Sequence, residues 1–232
     1  MNQVRLSAFA AVLLLVHSLT TIAQDLPTDS AAWSRAVNLL PLINPEKDAV
    51  EGIWRIENGE LISDDTKAAR IQIPYEPPAE YCFRITFTRL DGDAVAQILS
   101  NSRHSFMWTM GSHGNHKFGF STVAGRGVGN NPTTVDVESA LENNRSYTSI
   151  VVARNNGLKA YLDGKLITQW KTSYDDMRIS IEWKLPSERC FGLATHRSRT
   201  RFQTIQVLEM RGKGRVLQRS ESATIKPDPS VV

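Results

Sequence analysis

A chain of 232 residues that is 41% hydrophobic, 22% charged and 8% aromatic sits near the globular average, which excludes a disordered, collagen-like or multi-span membrane protein. Two cysteines exclude a disulfide-stapled miniprotein, and a formal net charge of +3 is far too small to imply a nucleic-acid partner.

In chain order, the first feature is a leader. Arg5 supplies a positive start, 6–16 an apolar stretch, and Thr21-Ile22-Ala23 the small residues that precede a cleavage point, so residues 1–23 read as a secretory signal peptide. The apolar stretch, about eleven residues, covers roughly half of a ~30 Å hydrocarbon core, which argues against a stable membrane anchor. The expected product is exported, to the periplasm or outside the cell, with 24–32 loose and a folded unit over 33–219.

After the leader, helical periodicity is scarce. Short helices are expected only at 31–40 and 138–143. Elsewhere, runs rich in Val, Ile, Thr, Phe and Tyr alternate with Gly, Asn, Asp and Pro, an all-β pattern. Segments 53–57 and 60–63 flank Asn58-Gly59, a pair suited to a tight hairpin turn. A strand at 69–73 leads through Pro74, Pro77 and Pro78, which cannot lie in a central strand, so 73–80 is expected to cross between sheets. In 81–89, Tyr81, Phe83, Ile85 and Phe87 share one face and Cys82, Arg84, Thr86 and Thr88 the other. Further strands are expected at 94–100, 105–110, 117–123, 178–183, 190–195 and 201–210. Segments 146–154, 159–162 and 165–168 form a meander through Asn156-Gly157 and Asp163-Gly164. So many short antiparallel strands exceed one open sheet, and two packed sheets follow, a closed barrel being the alternative. The tail 220–232, polar and carrying Pro227 and Pro229, is expected to be disordered.

The Tyr161-Leu162-Asp163-Gly164-Lys165 hairpin resembles that of laminin G-like and concanavalin A-like jelly rolls. A wider pattern includes Asn38-Leu39-Leu40-Pro41-Leu42, Gly52-Ile53-Trp54, Ile73-Pro74-Tyr75-Glu76-Pro77-Pro78 and Phe87-Thr88-Arg89. Over 36–212 it is similar to exported bacterial proteins near the 3-keto-disaccharide hydrolase domain. The resemblance implies an antiparallel two-sheet β-sandwich whose concave face handles sugars, and it leaves the activity open, because this fold hosts lectins, hydrolases and adhesion modules.

Recognised catalytic motifs are absent from the sequence. No Glu-x-Asp-x-x-Glu of laminarinase-type glucanases, no Gly-x-Ser-x-Gly around Ser112, no His-Glu-x-x-His, and no phosphate or dinucleotide loop occurs. The run Gly125-x-Gly-x-Gly129 leads into Asn130-Asn131-Pro132, a loop rather than a phosphate cradle. No cofactor is implied. His113 and His116 with Asp91 or Asp93 have ligand chemistry for a divalent metal, but two solvated histidines on a hairpin need none.

A sugar site needs a flat aromatic for the apolar face of the ring and fixed polar groups for its hydroxyls. Trp108, His113 and Asn115 on one segment, with Glu182 and Trp183 on a later strand, are the candidates. The competing reading places Trp54, Trp108, Trp170 and Trp183 in the core. If the protein is a glycosidase, Glu182, Asp91 or Asp93 would supply the acids. From 196 to 219 basic residues crowd against one acid, Glu209. Arg197, Arg199, Arg201, Arg211 and Lys213 are candidates for an anionic polymer, or they keep edge strands soluble. A bond between Cys82 and Cys190 would close a loop of roughly 100 residues, worth ~4 kcal/mol; strand parity does not bring the two together, and two separately packed thiols are the default. Sugar binding, glycoside or 3-keto-disaccharide hydrolysis, and protein adhesion are the three functions these residues admit.

Overall fold

The computed structural model describes residues 30–218. The leader 1–23, residues 24–29 and the tail 220–232 lie outside them, as does Arg219. In chain order the elements begin with a helical turn α1 (Ser30–Trp33), β1 (Val37–Asn38), a 3₁₀ turn (Leu40–Leu42) and α2 (Pro45–Asp48). Next come β2 (Ala49–Glu51), β3 (Trp54–Glu57), β4 (Glu60–Ser63), β5 (Ala69–Ile73), β6 (Tyr75–Glu76) and β7 (Glu80–Arg89). The middle of the chain holds β8 (Ala94–Ser100), β9 (Ser105–Gly111), β10 (Lys117–Phe120), β11 (Val135–Asp136), β12 (Ser146–Arg154), β13 (Gly157–Leu162) and β14 (Lys165–Lys171). The last are β15 (Phe191–His196), β16 (Thr200–Arg211) and β17 (Arg215–Val216).

These strands make an antiparallel β-sandwich, as the strand pattern predicts. The first sheet, eight-stranded, runs β14-β13-β12-β7-β16-β4-β3, with β1 also on β16; the second, seven-stranded, runs β11-β10-β9-β8-β15-β5-β2. The proline-rich connection does cross: β5 belongs to the second sheet and β7 to the first. Along it, β6 pairs with β17 in a small ribbon that the sequence pattern does not announce. Both predicted hairpin turns form, with positive φ at Asn58 and Gly59 (51° and 80°) and at Asp163 and Gly164 (48° and 78°). The turn between β12 and β13 is Asn155-Asn156 rather than Asn156-Gly157, because Gly157 pairs with Arg154.

The core is the alternation made solid. Tyr81, Phe83, Ile85 and Phe87 of β7 face the second sheet, where Phe191 stacks on Phe83 at 4.3 Å between ring centroids and meets Tyr81 edge-on at 4.9 Å. Such contacts contribute about 0.5–1.5 kcal/mol each beyond area burial. From the second sheet Val95, Leu99, Phe106, Trp108 and Met110 point inward. The opposite parity, Ala96, Ile98, Met107 and Ala194, faces outward and forms a separate apolar cluster with Ile179, Leu185 and Trp183.

Three predicted elements differ. The helix at 31–40 stops at Trp33, because Val37 and Asn38 pair with Val207 and Gln206 of β16. The helix at 138–143 does not form: both the N–H and the carbonyl of Leu141 are taken by the Asn115 side chain, leaving no helical ladder. The strand at 178–183 is a strap across the outer face of the second sheet, ending in a 3₁₀ turn (Ile181–Trp183). Alternating Ile179, Ile181 and Trp183 mimic a strand. Only Ile179 is buried, however, and Ile181 is 85% exposed. The cysteines pack separately, Cys82 on the outer face of the first sheet beside Met210 and Cys190 just before β15.

Candidate functional site

Where the strap leaves the outer face of the second sheet uncovered, a cleft of about 350 Å³ opens. Its floor follows from outward parity: Ala94 and Ala96 from β8, Met107 and Thr109 from β9, Ala194 and His196 from β15. Small alanines keep the floor low, and the hydroxyls of Thr109 and Ser121 hydrogen-bond each other at 3.1 Å. One wall is the turn carrying His113 and Gly114, the other the 3₁₀ turn carrying Glu182 and Trp183, with Asp93 also in the lining.

His113, Glu182 and Trp183, read from the sequence as one site, thus meet around one cleft although some 70 residues separate them. Glu182 and Trp183 do so from a 3₁₀ turn rather than a strand. The two other candidates do not join them. Trp108 is fully buried on the inward parity of β9, stacked on Phe118 at 6.1 Å and Phe120 at 5.3 Å, so it is core.

Asn115 is an anchor. Its Oδ1 accepts from the Leu141 N–H at 3.0 Å and from Arg89 at 2.9 Å, and its Nδ2 donates to the Leu141 carbonyl at 2.7 Å. These bonds hold a left-handed turn in which Gly111, His113, Gly114 and Asn115 have φ of 76°, 55°, 68° and 68°. Histidine and asparagine are among the side chains that enter this region most readily. The His113 ring lies so close to Gly129 that a Cβ there would stand 2.8 Å from Nε2. The Gly-rich loop therefore backs the wall.

Arg89 is the residue that sequence reasoning missed. Only 3% exposed, it donates to the carbonyls of Asp93 (2.5 Å) and Leu141 (2.6 Å) and to the side chains of Asn143 (2.7 Å) and Asn115. It ties the strand end carrying Asp93 to the turn carrying His113. A signal was present: Arg89 continues the inward series 81, 83, 85, 87, where a charge has no reason to be unless it is fully bonded.

His196 was missed too, although it follows Ala194 on the outward parity. Its ring sits 5.9 Å from that of Trp183, and its Nδ1 is buried with no hydrogen-bond partner among the described residues. Burial, aided by Arg197 and Lys67, holds its pKa below the usual histidine value against the opposing fields of Asp93 and Glu182.

The other sequence candidates disperse. Asp91 accepts from the Arg199 N–H at 2.9 Å and Nε at 2.6 Å; burial works against its ionised form, yet these bonds hold its carboxyl below the ordinary range. His116 faces the Val137 carbonyl at 3.2 Å, away from the cleft lining, so His113 and His116 do not converge.

The basic run does not make one patch. Arg199 is drawn to Asp91, Lys213 to Glu209 at 2.8 Å and Arg215 to Glu76 at 2.5 Å. Arg201 and Arg211 stand near opposite ends of β16, roughly 30 Å apart along the strand. Arg197 lies in the turn between β15 and β16, outside the cleft lining.

Fold and cleft together define the class: an antiparallel β-sandwich with an open cleft on the outer face of one sheet. Among solved structures the chain is similar to a Bacillus subtilis protein of unknown function with a galectin-like fold, at 9% identity over 77% of this chain and 97% of that one, TM-score 0.51. It is similar to the exoplasmic/lumenal domain of VIP36 in its Ca2+/Man2-bound form, at 9% identity over 80% and 89%, TM-score 0.50. It is also similar to carbohydrate-binding module CBM66 from Bacillus subtilis, at 17% identity over 69% and 94%, TM-score 0.49. No family model matches the chain, and no curated protein sequence does. At these identities the likeness shows the fold alone.

Proposed function

We propose that the protein is an exported carbohydrate-binding β-sandwich whose ligand seat is the cleft between His113 and Trp183. The observation that carries this reading is the convergence of His113, Glu182 and Trp183 on one cleft with a small-residue floor. A pyranose needs an aromatic wall, a shallow apolar floor and polar groups at the edge, and these residue types supply each. VIP36, whose sandwich is similar, is a sugar-bound relative by fold. Export rests on the 1–23 leader; no helix among the described residues is long and apolar enough to cross a membrane. Calorimetric titration with a panel of oligosaccharides tests the reading: binding that His113→Ala and Glu182→Gln each weaken supports it, and no binding to any member overturns it.

A second reading is glycoside or 3-keto-disaccharide hydrolysis. It is favoured by two carboxylates, Asp93 and Glu182, in one cleft, with the field of each reaching His196. Asp91, engaged by Arg199, leaves the list of candidate acids. Glycoside cleavage by a carboxylate pair uses one as acid and the other as base or nucleophile. Sugar release from keto-disaccharides that Asp93→Asn and Glu182→Gln each abolish would establish this reading over simple binding.

A further inference from the structure

Resting on the cleft as a glycan seat, we propose that it selects its sugar by charge, preferring an amino sugar to a neutral one and rejecting uronic and sulfated sugars. The lining contains the carboxylates of Asp93 and Glu182 and neither lysine nor arginine, in a chain whose formal net charge is +3. Several acids elsewhere on the sandwich are matched: Asp91 has Arg199, Glu76 has Arg189 and Arg215, and Glu209 has Lys213. Asp93 and Glu182 form no ion pair among the described residues.

The physical consequence depends on where those carboxylates stand. Beside a floor of Ala94, Ala96 and Met107, a seated ligand displaces water around the half-buried Asp93, so its field acts with reduced damping, while the exposed Glu182 at the rim acts through solvent. An ammonium gains from that field, a hydroxyl can donate to the same oxygens, and a carboxylate or sulfate is repelled. Trp183 acts in the same sense, because an indole face attracts a cation. The neighbouring His196 does not cancel the effect at pH 7, since burial keeps it largely neutral. Arg197 and Lys67, whose fields reach His196, are absent from the lining. So is Arg89, which donates to the Asp93 carbonyl and offsets part of the Asp93 field, leaving Glu182 the less compensated charge. The basic residues Arg197, Arg199, Arg201, Arg211 and Lys213, the feature that most suggests an acidic polymer in the sequence, are therefore not part of this lining.

The test is titration of the full chain at pH 7 and low salt with three length-matched β-1,4 oligomers: glucosamine, N-acetylglucosamine and a 6-carboxylated glucan. Affinity should fall in that order, by about tenfold or more from first to last, equivalent to about 1.4 kcal/mol. Added salt should weaken the amine oligomer most, and Asp93→Asn with Glu182→Gln should bring the ratio close to one. Equal affinities, tightest binding of the carboxylated oligomer, or a ratio unchanged in the double variant overturns charge selection and leaves the glycan reading standing. If none of the three binds, the glycan reading fails, and tetramethylammonium decides the charge preference by itself. A shift of the Trp183 indole NMR signal, assigned by its loss in Trp183→Phe and reduced in Glu182→Gln, supports the preference. No shift overturns it.

Discussion

The guanidinium of Arg89 donates to the side-chain oxygen of Asn115 at 2.9 Å, and through this bond the end of β7 is fastened to the turn that carries His113. Arg89 spends its other donors on the carbonyls of Asp93 and Leu141 and on Asn143. The His113 wall and the strand end carrying Asp93 therefore hang on one buried cation.

Replacing Arg89 by Met should cost about 3 kcal/mol, because buried carbonyls and the Asn115 amide lose a charged partner. At about 2–4 °C per kcal/mol for a domain of this size, Tm should drop by roughly 6–12 °C. Arg89→Lys should restore little, since one ammonium cannot span groups set around a planar fork. Thermal unfolding by circular dichroism checks this; a Tm within a degree of wild type for Arg89→Met would show that the bracket is not what holds the turn.

Two tryptophans that look alike in the sequence should behave oppositely. Trp108 is fully buried between Phe118 and Phe120, so Trp108→Ala should destabilise by about 3–5 kcal/mol. Trp183 stands at the cleft rim and is only partly buried, so Trp183→Ala should unfold at a temperature much closer to wild type while weakening oligosaccharide binding about tenfold or more. Paired melting curves and titrations separate the roles, and a larger loss of stability at Trp183 would reverse the assignment.

The contrast shows what the sequence could carry. Period-two alternation was legible for β7, and the Asn58-Gly59 and Asp163-Gly164 turns were legible because only a few residues tolerate their φ angles. Applied to β9, the same parity places Trp108 with Phe106 and Met110 inside and leaves Met107 and Thr109 to line the cleft. Parity fails at 178–183, where alternate apolar residues describe a strap that covers a sheet rather than a strand within one. Period two records which residues are buried, not what they pair with. Asn115 was misread for another reason: an asparagine beside a glycine-rich turn offers the same amide to a ligand as to its own backbone.

The two thiols should prove independent. Cys82 lies on the outer face of the first sheet with Met210, and Cys190 is buried at the start of β15. Protein denatured without reductant and treated with iodoacetamide should gain two carbamidomethyl groups by mass, and dithiothreitol should leave Tm unchanged. A single species two hydrogens lighter that resists alkylation would reveal a disulfide.

The β6–β17 ribbon is fastened by Glu76, which accepts from Arg189 at 2.9 Å and from Arg215 at 2.5 Å, while the Leu217 N–H bonds the Pro74 carbonyl at 2.9 Å. Burial disfavours the Glu76 carboxylate, but the two arginines outweigh it and hold its pKa below the usual glutamate value. The ribbon's contribution should therefore be present above the ordinary glutamate range and fade as pH falls through the lowered value. Glu76→Gln should speed hydrogen exchange at the Leu217 amide, which bonds the Pro74 carbonyl, near neutral pH and leave exchange in β7 unchanged. Unchanged exchange at Leu217 would mean that backbone pairing alone holds the ribbon.

His196 acts on stability in the same direction as Glu76, but at higher pH. Burial, the largest influence, with Arg197 and Lys67 beside it, lowers its folded pKa below the unfolded value of about 6.5, so the folded protein binds fewer protons than the unfolded chain over that interval. Stability from this group is complete above about pH 6.5, declines as pH falls below it, and levels off once the folded histidine is also protonated. Urea unfolding between pH 7.5 and 5 should show wild type losing stability more steeply than His196→Gln, which cannot titrate. The Trp183 ring, 5.9 Å away, should report the same event as a fluorescence or NMR transition with a midpoint below 6.5. Parallel stability curves for the two proteins, or a midpoint above 6.5, would mean that Asp93 and Glu182 control the ring more strongly than its burial does.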